Sequence, residues 1–301
     1  MFLETFTLPI DEEEDLIEER AEENGGRFGY VDNIYPCRMF GPRGLEEITF
    51  RDVTIFYGGN GSGKSTLLNL IAGKLQLNRI APFNSSELFD RYAAACEYTC
   101  GYDDEGFIHR IPDGSRIITS DDIFDYMLTV RTNNAEIAEQ IEAGKEEHKK
   151  LKYGDTVKFS GLEDYEALRM QVLARQKSLS RRQFIRRTAG METKLNSNGE
   201  TALNYFETKL KFDKLYCLDE PENCMSPKMQ MDLKRMLEDF VKHCGCQFII
   251  ATHSPFLLAM EDARIYDLDS DPVEVRNWWE LENVRIYYEF FREHEKLFWL
   301  T

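Results

Sequence analysis

The sequence contains no run of 18 consecutive apolar residues, so nothing in it reads as a membrane-spanning helix. Met1 to Ile10 lacks a basic segment followed by a long apolar core, and no secretory leader is expected there. The seven cysteines (Cys37, Cys96, Cys100, Cys217, Cys224, Cys244, Cys246) form no C-x-x-C pair. Their odd number and scattered spacing argue against a structural zinc site and suit a reduced compartment. Excess positive charge is missing too. A formal net charge of -17 argues against wholesale coating of nucleic acid or of an anionic membrane, so contact with a polyanion has to be local. These absences predict a soluble, cytosolic chain. Its 301 residues suffice for one large domain with an insertion, or for two small ones.

Among the features present, a loop carries most information. Gly58, Gly59, Asn60, Gly61, Ser62, Gly63, Lys64 and Ser65 fit the pattern G-x-x-x-x-G-K-[ST]. The pattern follows an alternating, β-branched run from Ile48 to Tyr57, which predicts a strand. It opens onto Thr66 to Leu77, whose apolar spacing predicts a helix. Such a loop binds phosphate. Its glycines let successive N–H groups converge on the β- and γ-phosphates, while Lys64 adds a point charge and Ser65 a hydroxyl for Mg²⁺.

Three further segments carry chemistry. Leu215 to Leu218 is an apolar run that ends in Asp219 and Glu220, which places two carboxylates at the carboxyl edge of a parallel sheet, where open α/β folds bind ligands. In that place Asp219 would hold the Mg²⁺ shell and Glu220 would orient or deprotonate the water that attacks the γ-phosphate. Phe248 to Thr252 is a second buried run, ending in His253 and Ser254. Ser197, Asn198, Gly199 and Glu200 stand before a helical run from Thr201 to Lys211. A serine and a glycine at a helix start can offer a hydroxyl and N–H groups to an anion, although Ser197 and Glu200 also fit a plain capping box.

Taken in order, the phosphate loop, the S-x-G-E signature, the strand ending Asp-Glu-Pro-Glu and the strand ending Thr-His-Ser resemble an ABC-type ATPase nucleotide-binding domain. The resemblance covers Ile48 to Ser254. It implies an α/β P-loop fold with a mostly parallel sheet flanked by helices, ATP and Mg²⁺ as ligands, and hydrolysis to ADP and phosphate. It also implies two subunits stacked head to tail, with ATP on one phosphate loop sealed by the other subunit's signature. Lys64, Ser65 and Thr66 would then hold nucleotide and metal, Asp219 would be the metal-side acid, Glu220 the base and His253 the γ-phosphate switch. Ser197 and Gly199 would act across the dimer, and Asn223 would fall on a dimer-contacting loop. The signature and the wording around Glu222 and Pro255 are closest to the soluble SMC, RecF and OLD-like branch, including small bacterial "AAA family" ATPases of repair and phage defence. That branch implies an effector protein encoded nearby. A membrane permease is the partner in the transporter alternative, and a nucleotide-gated assembly protein with negligible turnover is a further one. One family feature is absent: no glutamine lies between Gln76 and Gln140, and Ser120, Asp121 and Asp122 stand where the glutamine loop is expected. The adenine-stacking aromatic is left open among Tyr30, Tyr35 and Phe40.

The division expected is 1–119 for the first part of the ATPase lobe, 120–195 for a helical insertion and 196–301 for the remainder. Asp11 to Glu23, with nine carboxylates in thirteen residues, predicts a solvated helix or loop. Pro227 to Cys244 predicts a helix between two buried strands. From Ala167 to Met191 there is no Asp or Glu but seven basic residues: Arg169, Arg175, Lys177, Arg181, Arg182, Arg186 and Arg187. This 169–187 cluster could contact nucleic acid or an acidic partner, or pair with the chain's own carboxylates. Val284 to Leu300 predicts a final helix whose aromatic residues pack into the core or, alternatively, form a partner-docking surface.

Overall fold

The computed structural model describes residues 1–9, 11–23, 34–83, 85–103, 105–153, 170–172, 174–175 and 198–299. These fall into two compact units, Met1–Phe124 with Ala202–Thr301, and Asp125–Thr201.

The first unit is built on a six-stranded sheet in the order β5-β6-β7-β3-β8-β9. Its strands are β3 (Val53–Tyr57), β5 (Arg116–Thr119), β6 (Leu215–Asp219), β7 (Gln247–Ala251), β8 (Arg264–Asp267) and β9 (Glu274–Arg276). All neighbours run parallel except β8 and β9. Every residue of β3 and β7 is buried, as expected where helices cover both faces and the strand has no solvent side. A smaller antiparallel sheet, β2-β1-β4, comprises β1 (Leu3–Thr7), β2 (Glu47–Thr49) and β4 (Glu97–Cys100). Gln247 stitches the two together: its Oε1 accepts from the N–H groups of Phe2 and Leu3, and its Nε2 donates to the carbonyls of Leu3 and Arg51.

The run from Ile48 to Tyr57 is therefore not one strand. It breaks at Phe50–Asp52, and its halves join different sheets, because Ile48 and Phe50 face the core shared with β1 while Val53 onward enters the parallel sheet. The following helix, α2 (Lys64–Lys74), buries Leu67, Leu68, Leu70, Ile71 and Ala72 and packs against β5, β6 and β7. A helix this apolar around its circumference belongs inside a layered core.

Helix α1 (Asp11–Glu23) is less solvated than its charge suggests. Glu14 is buried, accepting from the Tyr92 hydroxyl and the Arg38 N–H, and Ile17 joins the core. These contacts hold α1 against α3 (Glu87–Ala95).

The second unit contains most of α4 (Ser120–Tyr153), a 34-residue helix with Asp121 and Asp122 in its first turn and Lys150 and Lys152 in its last, the arrangement its dipole favours. It also contains the first turn of α5 (Asn198–Lys209). Of the basic cluster only Arg175 lies among the described residues, where its Nε donates to the Leu151 carbonyl at 3.2 Å.

Back in the first unit, α6 (Pro227–Cys244) runs between β6 and β7, and the short α7 (Pro255–Leu258) follows β7. The chain then closes on α8 (Glu282–Glu293) and α9 (Glu295–Phe298). The final helix is present, but the core-packing expectation for its aromatic residues fails. Tyr287, Tyr288, Phe290, Phe291, Phe298 and Trp299 are exposed, and of α8 only Val284 is buried. No described helix is long and apolar enough to cross a membrane.

Candidate functional site

The phosphate loop joins β3 to α2, and its shape follows from two glycines. Gly63 caps α2 in a left-handed conformation, φ 101°, that an L side chain rarely adopts. A Cβ there would also lie 2.9 Å from the ring of fully buried Phe40. Gly61 has φ 82° with open space around it. Lys64, almost wholly buried, donates its ammonium back to the carbonyls of Gly58 at 2.7 Å and Gly59 at 2.8 Å. Outer contacts brace the loop: Arg43 donates to the Ser62 carbonyl at 3.1 Å, and Asp269 accepts from the Gly59 N–H at 2.7 Å. The Ser62 hydroxyl is buried without a partner among the described residues.

Beside the loop lies a cavity of about 460 Å³ lined by Tyr35, Met39, Asn60 to Thr66 and Glu220. Tyr35 donates its hydroxyl to Thr66 Oγ at 3.0 Å. Of the three aromatics left open, Phe40 is core, Tyr30 lies outside the described residues, and Tyr35 stands at the cavity with its ring stacked on Phe89.

Strand β6 brings the acidic pair to the loop. Ser65 donates its hydroxyl to Asp219 Oδ1 at 3.0 Å. Burial pushes the Asp219 carboxyl up to about 6, against the lowering effect of the Ser65 hydrogen bond, and nearby Glu220 adds to the rise. A nearby cation would favour the charged form that burial disfavours here. Glu220 adopts φ 46°, a left-handed conformation uncommon for a side-chain-bearing residue. It is fixed by its N–H to the Ala251 carbonyl at 2.9 Å and by Asn223 Nδ2, which donates to Oε2 at 3.1 Å. This conformation turns the chain sharply after β6 and leaves Glu220 on the cavity wall.

His253, following β7, places Nδ1 at 3.8 Å from Glu220 Oε1 and at 3.8 Å from Oε1 of Glu222. Thus the phosphate loop, Ser65, Thr66, Asp219, Glu220 and His253 converge within the first unit. Gly199 lies in the first turn of α5, in the second unit, and Ser197 lies outside the described residues.

A protein-family model described as "ABC transporter" matches residues 47–223, more than half of the chain. The chain belongs to the ABC ATPase family. A second model, an AAA domain described with the AbiEii toxin and the type IV TA system, matches residues 197–259 of this ABC ATPase. No curated protein matches it. Among solved structures it is similar to the SMC head domain from Thermotoga maritima, with 17% identity, 92% of this chain and 99% of that chain covered, and a TM-score of 0.38. It is also similar to the ATP-binding cassette MJ0796, a post-hydrolysis dimer bound to ADP and Pi, with 15% identity, coverage of 77% and 88%, and a TM-score of 0.36.

In this ABC ATPase Thr119, at the end of β5 and immediately before Ser120, Asp121 and Asp122, pairs in register with Asp219. Asp122 is committed to structure, accepting from the Ala81 N–H at 2.8 Å and from Thr119 N–H at 2.7 Å. Ser120 and Asp121 instead line a second cavity of about 410 Å³ that also includes Asn69, Arg79 and Asp219. Arg79, stacked over Phe83 at 4.1 Å and hydrogen-bonded to Asn69, was invisible to motif reasoning because no pattern marks it. Glu222 was within sight as the third carboxylate of Asp-Glu-Pro-Glu. It is buried, with the Thr252 hydroxyl and the His253 N–H both donating to Oε1.

Proposed function

We propose that this chain binds and hydrolyses ATP at a head-to-tail dimer interface and uses the closure to drive a partner protein or a DNA transaction of the repair or phage-defence type, in the cytoplasm. The observation that carries the reading is the Ser65 to Asp219 hydrogen bond, with Glu220 on the wall of the cavity that the phosphate loop lines. Gly58 to Gly63 would wrap the β- and γ-phosphates, Lys64 would release its two carbonyls to meet phosphate oxygens, and Thr66 and Tyr35 would bracket the nucleoside side. The oxygens of Ser65 and Asp219 are the ligands a hard divalent cation takes, usually with waters and phosphate oxygens completing the shell. Mg²⁺ held there supplies charge neutralisation for the transferring phosphoryl group. Glu220, fixed by Asn223, would orient and deprotonate the attacking water, and His253 would sense the γ-phosphate beside it.

Ser197 and Gly199 would complete the site from a second copy, whose Asn223 turn faces the same interface. The match of residues 197–259 to the AAA domain of the type IV toxin–antitoxin kind supports the defence-type setting, with an effector encoded nearby and the 169–187 cluster available to nucleic acid. A transporter subunit bound to a permease is the second reading, favoured by the description of the model that matches residues 47–223. Glu220→Gln is expected to bind ATP and dimerise on size exclusion while turnover falls at least about a hundredfold. Wild-type phosphate release by that variant would sink the assignment. Ser197→Arg should bind ATP as a monomer. An ATP-dependent Ser197→Arg dimer rules out the trans-signature arrangement.

A further inference from the structure

Glu222 sits two residues beyond Glu220, in the turn after β6, and is only 4% exposed. Its Oε1 accepts from the Thr252 hydroxyl and, at 3.3 Å, from the His253 N–H. Thr252 Oγ accepts in turn from the Ser254 N–H at 3.0 Å, and the Ser254 hydroxyl donates to Gln230 Oε1 at 2.7 Å. Gln230 Nε2 then donates to the Met225 carbonyl at 3.0 Å, closing the network onto the turn that carries Glu222. The carboxylate is thereby fixed from both strand ends.

Its other oxygen, Oε2, is buried with no partner among the described residues. A buried carboxylate with one bare oxygen is costly, and burial accordingly raises the Glu222 pKa. If shape and two accepted hydrogen bonds were the whole requirement, a glutamine would serve with less desolvation. What the carboxylate adds is charge beside the imidazole, since its Oε1 stands 3.8 Å from His253 Nδ1. Glu220 is the second acid on that nitrogen, also at 3.8 Å, but as the group assigned to deprotonate the attacking water it takes up a proton during turnover and does not keep a constant charge beside the ring. These two carboxylates are the ion-pairing groups that face His253 among the described residues.

We propose that Glu222 is the positioning residue for His253: it holds the ring with its proton on Nδ1, toward the carboxylates, and leaves Nε2 as the free ring nitrogen. The two nitrogens of a neutral imidazole are opposite in character, one a donor and the other an acceptor, and the partner of one decides the state of the other. In this tautomer Nε2 of the neutral ring is a hydrogen-bond acceptor, and it becomes a donor to phosphate only with a second proton. The proposal rests on the reading of Glu220 and His253 given above.

Nitrogen NMR of ¹⁵N-histidine-labelled protein tests it. The chain has five histidines, and the His253 signals are assigned by their loss in His253→Gln. The expected wild-type spectrum shows the neutral His253 ring protonated at Nδ1. Glu222→Met is expected to move the proton toward Nε2 and to lower kcat for ATP by about tenfold to a hundredfold with KM little changed, the scale on which loss of an orienting partner of a histidine is felt. Glu222→Gln, which keeps the Oε1 acceptor but loses the charge, should move the proton part of the way toward Nε2 and lower kcat by less than Glu222→Met does. A wild-type ring protonated at Nε2 overturns the proposal without recourse to any variant, as does Glu222→Met with an unchanged ring. Wild-type hydrolysis by His253→Gln alongside an Nδ1-protonated wild-type ring would instead remove the functional reading and leave the Glu222 assignment standing.

Discussion

Ser65 donates its hydroxyl to Asp219 across 3.0 Å, joining the first turn of α2 to the carboxyl end of β6. Both oxygens are assigned to the same cation, so Ser65→Ala should weaken ATP binding about tenfold, or 1.4 kcal/mol, when Mg²⁺ is present. With chelator the variant and wild type should bind ATP alike. Calorimetric titration under both conditions checks this, and an equal loss in the two would remove Ser65 from the metal shell.

Asp219 makes the nucleotide-free protein sensitive to pH. Its carboxyl, raised from 3.8 to about 6, is protonated more readily when folded than when unfolded. Its contribution to stability is therefore fully present below pH 3.8 and is lost as the pH rises through 6. Asp219→Asn removes the neutral-pH penalty, worth at most about 3 kcal/mol at 1.36 kcal/mol per unit. In chelator, thermal melts should show the variant with the higher Tm near neutrality and the two curves converging as the pH falls. A gap that widens toward acid contradicts this account.

Gly63 and Gly61 both have positive φ, but only Gly63 faces a wall, the Phe40 ring. Gly63→Ala adds a clash to left-handed strain, itself of order 1–3 kcal/mol. Gly61→Ala carries the strain alone. Titration with a fluorescent ATP analogue should rank Gly63→Ala well below Gly61→Ala in affinity, and the reverse order would mean that the loop does not use the conformation described.

Thiol chemistry gives a reporter for closure. Burial pushes Cys37 and Cys96 up to about 12 and raises Cys217 as well, so none offers a thiolate at neutral pH. Cys224 is exposed, in the turn one residue past Asn223. Alkylation of native protein followed by peptide mass mapping should modify Cys224 first. In Glu220→Gln, ATP should slow that modification, and an unchanged rate would place the turn outside the dimer interface.

The site was more legible than the frame that holds it. Lys64 and Ser65 stood out through the spacing of the glycine-rich pattern, and Asp219, Glu220 and His253 because they follow short apolar runs, since buried parallel strands have no polar alternation to obscure their limits. Helix α6, over Pro227 to Cys244, was legible for a similar reason: proline opens it and Gly245 closes it in a left-handed cap. The strands β1, β4, β5, β8 and β9 were not singled out, since segments of three to five residues carry too little pattern. The break at Phe50 to Asp52 was hidden because alternation continues across it while the sheet changes. The aromatic residues of α8 misled in the other direction: their size suggests core, but Tyr287, Tyr288, Phe290 and Phe291 are exposed. Glu222 acts through Thr252 and His253, contacts distant in sequence that spacing alone does not encode, and Arg79 belongs to no pattern.

The parallel pair β5 and β6 meets at the metal-side acid, yet residues 120–214 separate the two strands in the chain. Closing so long a connection has an entropic cost that depends only logarithmically on its length, so halving or doubling it changes the sheet by about 0.6 kcal/mol. The connection ahead of Ser197 can therefore be lengthened or trimmed at little cost to the sheet, while Thr119 and Asp219 keep their register.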